Sequence, residues 1–120
     1  MSDRLTQFRE YREKMNARIL AAQHLPINRF FTLDGKAYED GALDARTKEL
    51  AGLAASMVLR CDDCIAYHVI RCKELGLTNE QLHEVFNVGL IVGGSIVIPH
   101  LRRAFELLDE IDAEFNRAGS

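Results

Sequence analysis

Cys61 and Cys64 stand three apart, His68 follows one helical turn after the second, and Glu49 lies twelve residues before the first. Two thiols at that spacing can close into a disulfide and reopen. An imidazole four residues further on can accept the thiol proton, or stabilise the thiolate as imidazolium. Each helical residue advances about 100°, so Cys61, Cys64 and His68 fall within a stripe roughly 60° wide. Their side chains converge. Both cysteines sit at or near a helix start, where unpaired N–H groups and the positive dipole end favour thiolate over thiol.

Glu49 lies on the preceding helix with Gly52 and Ser56 at i, i+3 and i+7. That row of small residues lets a neighbouring helix approach, with the carboxylate directed into the gap. A carboxylate held there could orient His68 or pass a proton to a cysteine, as a third group orients the base of a triad. Asp62 and Asp63 fill the positions between the thiols. Acids suit a helix N-terminus, yet a nearby negative charge disfavours a thiolate.

Other residues of reactive type receive plainer readings. Cys72 shares the stripe one turn beyond His68, but nothing further pairs with it, and core packing is expected. His24, His83 and His100 are isolated in sequence and carry no assigned role. Zinc accepts all four side-chain types of the constellation. Structural zinc sites, however, draw Cys-x-x-Cys from a tight knuckle, whereas three of these four residues share one helix without a glycine turn. No metal and no cofactor is expected.

The elements that must position these residues are helical throughout. Leu5, Phe8, Met15, Ile19 and Ala22 recur at three- and four-residue spacing and predict a first helix over residues 3–23, ended by Pro26. Asp34-Gly35 and Gly41 mark residues 27–41 as a loop with one short helical turn around Phe30. Asp44 is placed to cap a helix over 44–60. A third helix covers 62–75 and stops at Gly76. Thr78 and Gln81 form a capping box, with Leu77 and Leu82 as a hydrophobic staple, for a helix reaching Gly93-Gly94. The last helix starts near Ser95, takes Pro99 in its first turns, and carries Leu101, Phe105, Leu108 and Ile111 on one face. No segment alternates with period two. The fold class is all-α, a bundle of about five to six helices.

Length and composition bound the rest. The chain has 120 residues, 48% hydrophobic and 28% charged, which suits one domain over 1–120, with an N-terminal helix in 1–24 and a helical core in 44–117. A formal charge of −3, with basic and acidic residues interleaved, gives no support for a nucleic-acid partner. The start of the chain is highly charged without an apolar leader segment, and the longest apolar stretch, residues 88–99, is shorter than the roughly 20 residues a membrane span requires. A cytoplasmic protein with no membrane partner is expected, and in a reducing compartment a Cys-x-x-Cys pair points to catalysis or metal binding rather than a structural bridge. Val85, Phe86, Val88, Leu90, Ile91, Val92, Ile96, Val97 and Ile98 cover more than one helix face. That excess predicts a homo-oligomer, with Gly89, Gly93 and Gly94 allowing close approach between subunits.

Glu-x11-Cys-x2-Cys-x3-His, from Glu49 to His68 in an all-helical chain of this size, resembles the alkylhydroperoxidase AhpD-like branch of the carboxymuconolactone decarboxylase family. Asp44-Ala45-Arg46-Thr47-Lys48-Glu49-Leu50 and Gly93-Gly94-Ser95 add to the likeness, which spans about residues 43–100; the N-terminal helix adds nothing. Asp63 stands where well-known members carry a histidine before the second cysteine. The resemblance implies a thiol peroxidase or disulfide reductase that works as a trimer or hexamer and serves antioxidant defence. Cys64 would attack the peroxide, Cys61 would supply a proton and then resolve the sulfenic acid as a disulfide, and His68 and Glu49 would complete the relay. A thiol reductant protein, lipoylated in the best-known case, would regenerate the dithiol. Sulfenic acid capture by a nearby thiol is the reversible rung of cysteine oxidation. The family's decarboxylase branch, a lyase of aromatic catabolism, generally lacks the cysteine pair. A non-catalytic redox-sensing oligomer is the remaining alternative.

Overall fold

The computed structural model describes residues 3–118. Among them are six α-helices and no strand: α1 (Arg4–Ala21), α2 (Leu25–Ala37), α3 (Ala45–Leu59), α4 (Asp62–Glu74), α5 (Asn79–Gly93) and α6 (Ile98–Ala118), with a 3₁₀ turn at Ser95–Val97 leading into the last. None is long and apolar enough to cross a membrane.

Local chemistry sets the helix ends. Asp3 and Asp44 cap α1 and α3 by accepting from the amides of Thr6 and Thr47 at 2.8 Å each. Thr78 and Gln81 form the expected reciprocal box at the start of α5. Gly76, with φ of +83°, ends α4 in the left-handed conformation a glycine adopts without a Cβ penalty. Leu77 and Leu82, the expected staple pair, are both buried in the same core.

The segment 27–41 departs from expectation, because most of it is α2 rather than loop. Pro26 does not end α1. That helix stops at Ala21, Gln23 reverses the chain with φ of +57°, and Pro26 sits in the opening turn of α2. A proline there has a preset φ and gives up an amide that lacks a helical partner anyway. Asp34-Gly35 lies inside the helix, where glycine costs only about 1 kcal/mol relative to alanine.

The core is built from α3, α4, α5 and α6. Leu53, Met57, Val69, Leu82, Phe86, Leu107, Leu108 and Ile111 are almost wholly enclosed. Helix α3 packs along α5 and α4, while α6 closes over α4. Here the glycines serve the chain itself. A Cβ on Gly89 would stand 2.7 Å from Met57 Cβ, and one on Gly93 would stand 2.5 Å from Val97 Cγ2. Gly89 therefore lets α5 sit against α3, instead of the intersubunit approach expected of it. The apolar excess itself remains on the surface: Val88, Ile91, Val92 and Ile96 are exposed, Ile91 by 77%.

Helix α1 joins this core only at its start, through Leu5 with Phe8 packed against it, and is tied to α6. Leu5 donates its amide to Glu110 Oε1 at 2.9 Å, and Arg9 reaches Glu114 at 2.8 Å. Only Leu5 of α1 is buried. The rest of its apolar stripe faces a cavity above the start of α4.

Candidate redox site

The site is built on the junction between α3 and α4. Arg60, with φ of +58°, turns the chain, and Cys61 caps α4 with its Sγ accepting from the Cys64 amide at 3.3 Å. Cys61 and Cys64 are joined as a disulfide, with Cα atoms 5.2 Å apart. Four residues on, the buried His68 turns toward α3. Its Nδ1–H donates to Glu49 Oε2 at 2.7 Å. A carboxylate only accepts, so this contact fixes the hydrogen on Nδ1 and leaves the Nε2 lone pair available when the ring is neutral.

Gly52 makes that meeting possible. A Cβ there would lie 2.6 Å from His68 Cε1 and 2.8 Å from Nε2. Ser56 completes the row and returns its hydroxyl to the Gly52 carbonyl at 2.7 Å. Glu49 is 1% exposed, and Arg71, whose Nε is 3.9 Å from Glu49 Oε1, stands at its outer side. A buried carboxylate of this kind requires its partners, because an ion without hydrogen bonds is costly to enclose.

Two tyrosines complete the surroundings. The Tyr38 hydroxyl, at the end of α2, lies 3.4 Å from His68 Nε2. Tyr67 meets the imidazole edge-on with centroids 5.2 Å apart, and the Arg12 guanidinium covers its ring at 4.6 Å. Burial first, then the negative charges of nearby carboxylates, push both phenols above their ordinary value, so both keep their protons.

A cavity of about 730 Å³ opens between α1, the end of α2 and the start of α4. Phe8, Tyr11 and Met15 of α1 form one wall, while Cys64, His68 and Tyr38 line the other side. Cys64 is exposed there, and Cys61 is more enclosed. Helix α1, silent in the family likeness, thus shapes the approach to the second thiol.

Asp62 is not left to act on the thiols alone. His100 Nδ1–H donates to its Oδ1 at 2.7 Å, and Arg103 Nε–H donates to Oδ2 at 3.0 Å. Burial works to raise the Asp62 carboxyl, but these two hydrogen bonds and the Arg103 charge outweigh it and hold the group below the usual range. The carboxylate next to Cys61 is thereby paired with two groups of α6. Cys72 is fully enclosed, and burial, reinforced by the Glu49 charge, pushes its thiol up to about 12. It packs as a small apolar side chain. Among the described residues no three His, Cys, Asp or Glu side chains are grouped to hold a metal ion.

The four residues singled out in sequence therefore stand together: the cysteines at the helix start, His68 one turn on, and Glu49 bonded to it. Tyr38, His100 and Arg103 were missed. Tyr38 lay in a segment read as loop, and His100 and Arg103 approach from a helix 38 and 41 positions away, with no local signal.

The chain is thus an all-helical one with a cysteine pair at a helix start and a carboxylate–imidazole pair behind it. The chain belongs to the carboxymuconolactone decarboxylase family, whose model matches residues 27–107. Its fold is that of a carboxymuconolactone decarboxylase family protein from Thermotoga maritima for which a part in the antioxidative response has been suggested. The two are 46% identical, with a TM-score of 0.89 over 95% of this chain and 97% of that one. A family protein from Legionella pneumophila, solved in its apo form, is 28% identical with a TM-score of 0.83, covering 91% and 97%. The uncharacterized protein 4 of the cox locus in Paracoccus denitrificans is 39% identical over 83 residues, which is 69% of this chain and 75% of that one.

Proposed function

We propose that the chain is an AhpD-like thiol peroxidase and disulfide oxidoreductase that cycles Cys61 and Cys64. The observation that carries this reading is the exposure of Cys64 on a cavity beside His68, whose other nitrogen is fixed by the buried Glu49. His68 Nε2 takes the thiol proton, and the thiolate sulfur attacks the peroxide. The S–O bond forms as the O–O bond breaks, so the peroxide is reduced to an alcohol or water while Cys64 becomes a sulfenic acid. The Cys61 thiol then gives up its proton as its sulfur displaces the sulfenic hydroxyl, which leaves with that proton as water, and the disulfide closes.

A dithiol reductant, of the lipoylated kind or another, takes the disulfide back to the dithiol by exchange. The suggested antioxidative role of the Thermotoga relative supports the same reading. The exposed Val88, Ile91, Val92 and Ile96 support a homo-oligomer, trimer or hexamer.

Trapping the intermediate tests the reading. Peroxide added to the reduced Cys61→Ser protein should yield a dimedone adduct on Cys64. No adduct, together with no Cys61–Cys64 disulfide formed in the wild type, would sink the peroxidase assignment. Carboxymuconolactone turnover that survives serine at both cysteines would revive the decarboxylase reading.

A further inference from the structure

We propose that Tyr38 is the acid that protonates the leaving oxygen when Cys64 opens a peroxide O–O bond, and that His68 restores its proton. The inference rests on the peroxidase reading above. The family resemblance gives that proton to Cys61. The geometry points to Tyr38 instead.

Three observations converge on this hydroxyl. Tyr38 lines the cavity together with Cys64 and His68, whereas Cys61 is not among the residues lining it. Its oxygen is 3.4 Å from His68 Nε2, the nitrogen left free because Nδ1 is committed to Glu49. The ring itself stacks at a tilt over the imidazole, with centroids 5.3 Å apart. Gly52 preserves the meeting point, since a Cβ there would stand 3.0 Å from the Tyr38 oxygen and 2.8 Å from Nε2. The hydroxyl keeps its proton because burial, and then the Asp34 and Glu49 charges, raise it above the ordinary phenol. An alkoxide is far more basic than a phenolate, so the transfer to it is downhill even from a raised phenol.

The proton count closes without an outside donor. Cys64 gives its proton to His68 Nε2 and attacks the terminal peroxide oxygen. The S–O bond forms, the O–O bond breaks, and the alkoxide departs with the electron pair. It takes the hydrogen of Tyr38, and the phenolate recovers one from the imidazolium Nε2–H. The products are the sulfenic acid and an alcohol, with Tyr38 and His68 back in their starting states. Peroxide has gained two electrons and the sulfur has lost two.

Leaving groups separate this role from a merely structural one. Reduced wild type and Tyr38→Phe are mixed with tert-butyl hydroperoxide, with peracetic acid and with iodoacetamide, and Cys64 modification is followed by rapid quench and mass spectrometry. Acetate and iodide need no proton to leave. The variant should react with the alkyl hydroperoxide about 100-fold more slowly, the size of a lost general acid. With peracetic acid and iodoacetamide it should stay within about twofold of wild type. Those two reactions also establish that the variant is folded with a competent thiol. Equal slowing with all three reagents would overturn the proposal by assigning Tyr38 to the thiolate or the fold. An unchanged alkyl hydroperoxide rate would overturn it too. A wild type that reacts with neither peroxide refutes the peroxidase reading itself, and this inference with it.

Discussion

Asp62 Oδ1 lies 2.7 Å from His100 Nδ1, so the carboxylate adjoining the first thiol is held by a histidine of α6. Arg103 takes the other oxygen. The acid that a sequence reading sets against the thiolate is therefore partly neutralised by partners 38 and 41 positions away. Replacing Arg103 by alanine should expose the thiols to that charge. Iodoacetamide alkylation of reduced Cys64 at pH 7 should slow about two- to fivefold, the effect of a half-exposed charge contact of up to about 1 kcal/mol. Asp62→Asn in the same background should restore it. Alkylation unchanged in Arg103→Ala would show that Asp62 does not act on the thiolate.

The same clamp has a pH signature. The Asp62 carboxyl is held below its usual range, so its contribution to stability is complete above the unfolded value of about 3.9 and is lost as pH falls through the folded one. Urea midpoints of wild type and Asp62→Asn should differ in favour of wild type at pH 5. The difference should shrink at pH 3. A gap that widens on acidification would contradict the clamp.

Glu49 and His68 should behave as one unit. Glu49→Ala leaves a buried imidazole N–H without its acceptor and should cost about 2–3 kcal/mol, the usual loss for a hydrogen bond to a charged group. Glu49→Gln keeps an acceptor oxygen and should cost less in the urea midpoint. Both should lower the rate of Cys64 oxidation by peroxide. A stable Glu49→Ala protein with wild-type oxidation kinetics would dissolve the pair as a functional unit.

Gly52→Ala tests the space between the helices. The added methyl would stand 2.6 Å from His68 Cε1, and the ring cannot yield without stretching its bond to Glu49. A destabilisation of about 1–3 kcal/mol is expected from overpacking, with Cys64 oxidation falling further than stability alone accounts for. Stopped-flow oxidation beside urea unfolding separates the two effects.

The surface of α5 makes a prediction about assembly. Ile91→Glu or Val92→Glu places a charge on an exposed apolar strip and should lower the mass measured by light scattering. A wild type already monomeric at high concentration would remove the basis for a trimer or hexamer.

Much of this was legible in sequence because it is local. Asp44, Thr78, Gln81 and Gly76 act within one turn of where they stand, so caps and stops read directly. The Cys61, Cys64 and His68 stripe follows from helical geometry alone, and Glu49 follows from its place beside Gly52 and Ser56. The segment around Pro26 failed for the opposite reason: the same proline that ends one helix pattern can open the next, and nothing in the local spacing says which. Gly89 and Gly93 signalled close approach correctly, but the signal does not name the partner, which is Met57 of α3 for one and Val97 for the other. The cavity wall supplied by α1, and the grip of His100 on Asp62, depend on tertiary placement that no short window contains.

Cys61 is both half of the disulfide and the cap of α4, its sulfur accepting the Cys64 amide at 3.3 Å. Valence and helix nucleation thus share one atom. When that sulfur changes between thiolate, thiol and disulfide, its strength as an acceptor changes with it, and the Cys64 amide senses the difference. The hydrogen-exchange rate of that single backbone N–H should therefore differ between the disulfide and the dithiol, readable without any chemical label.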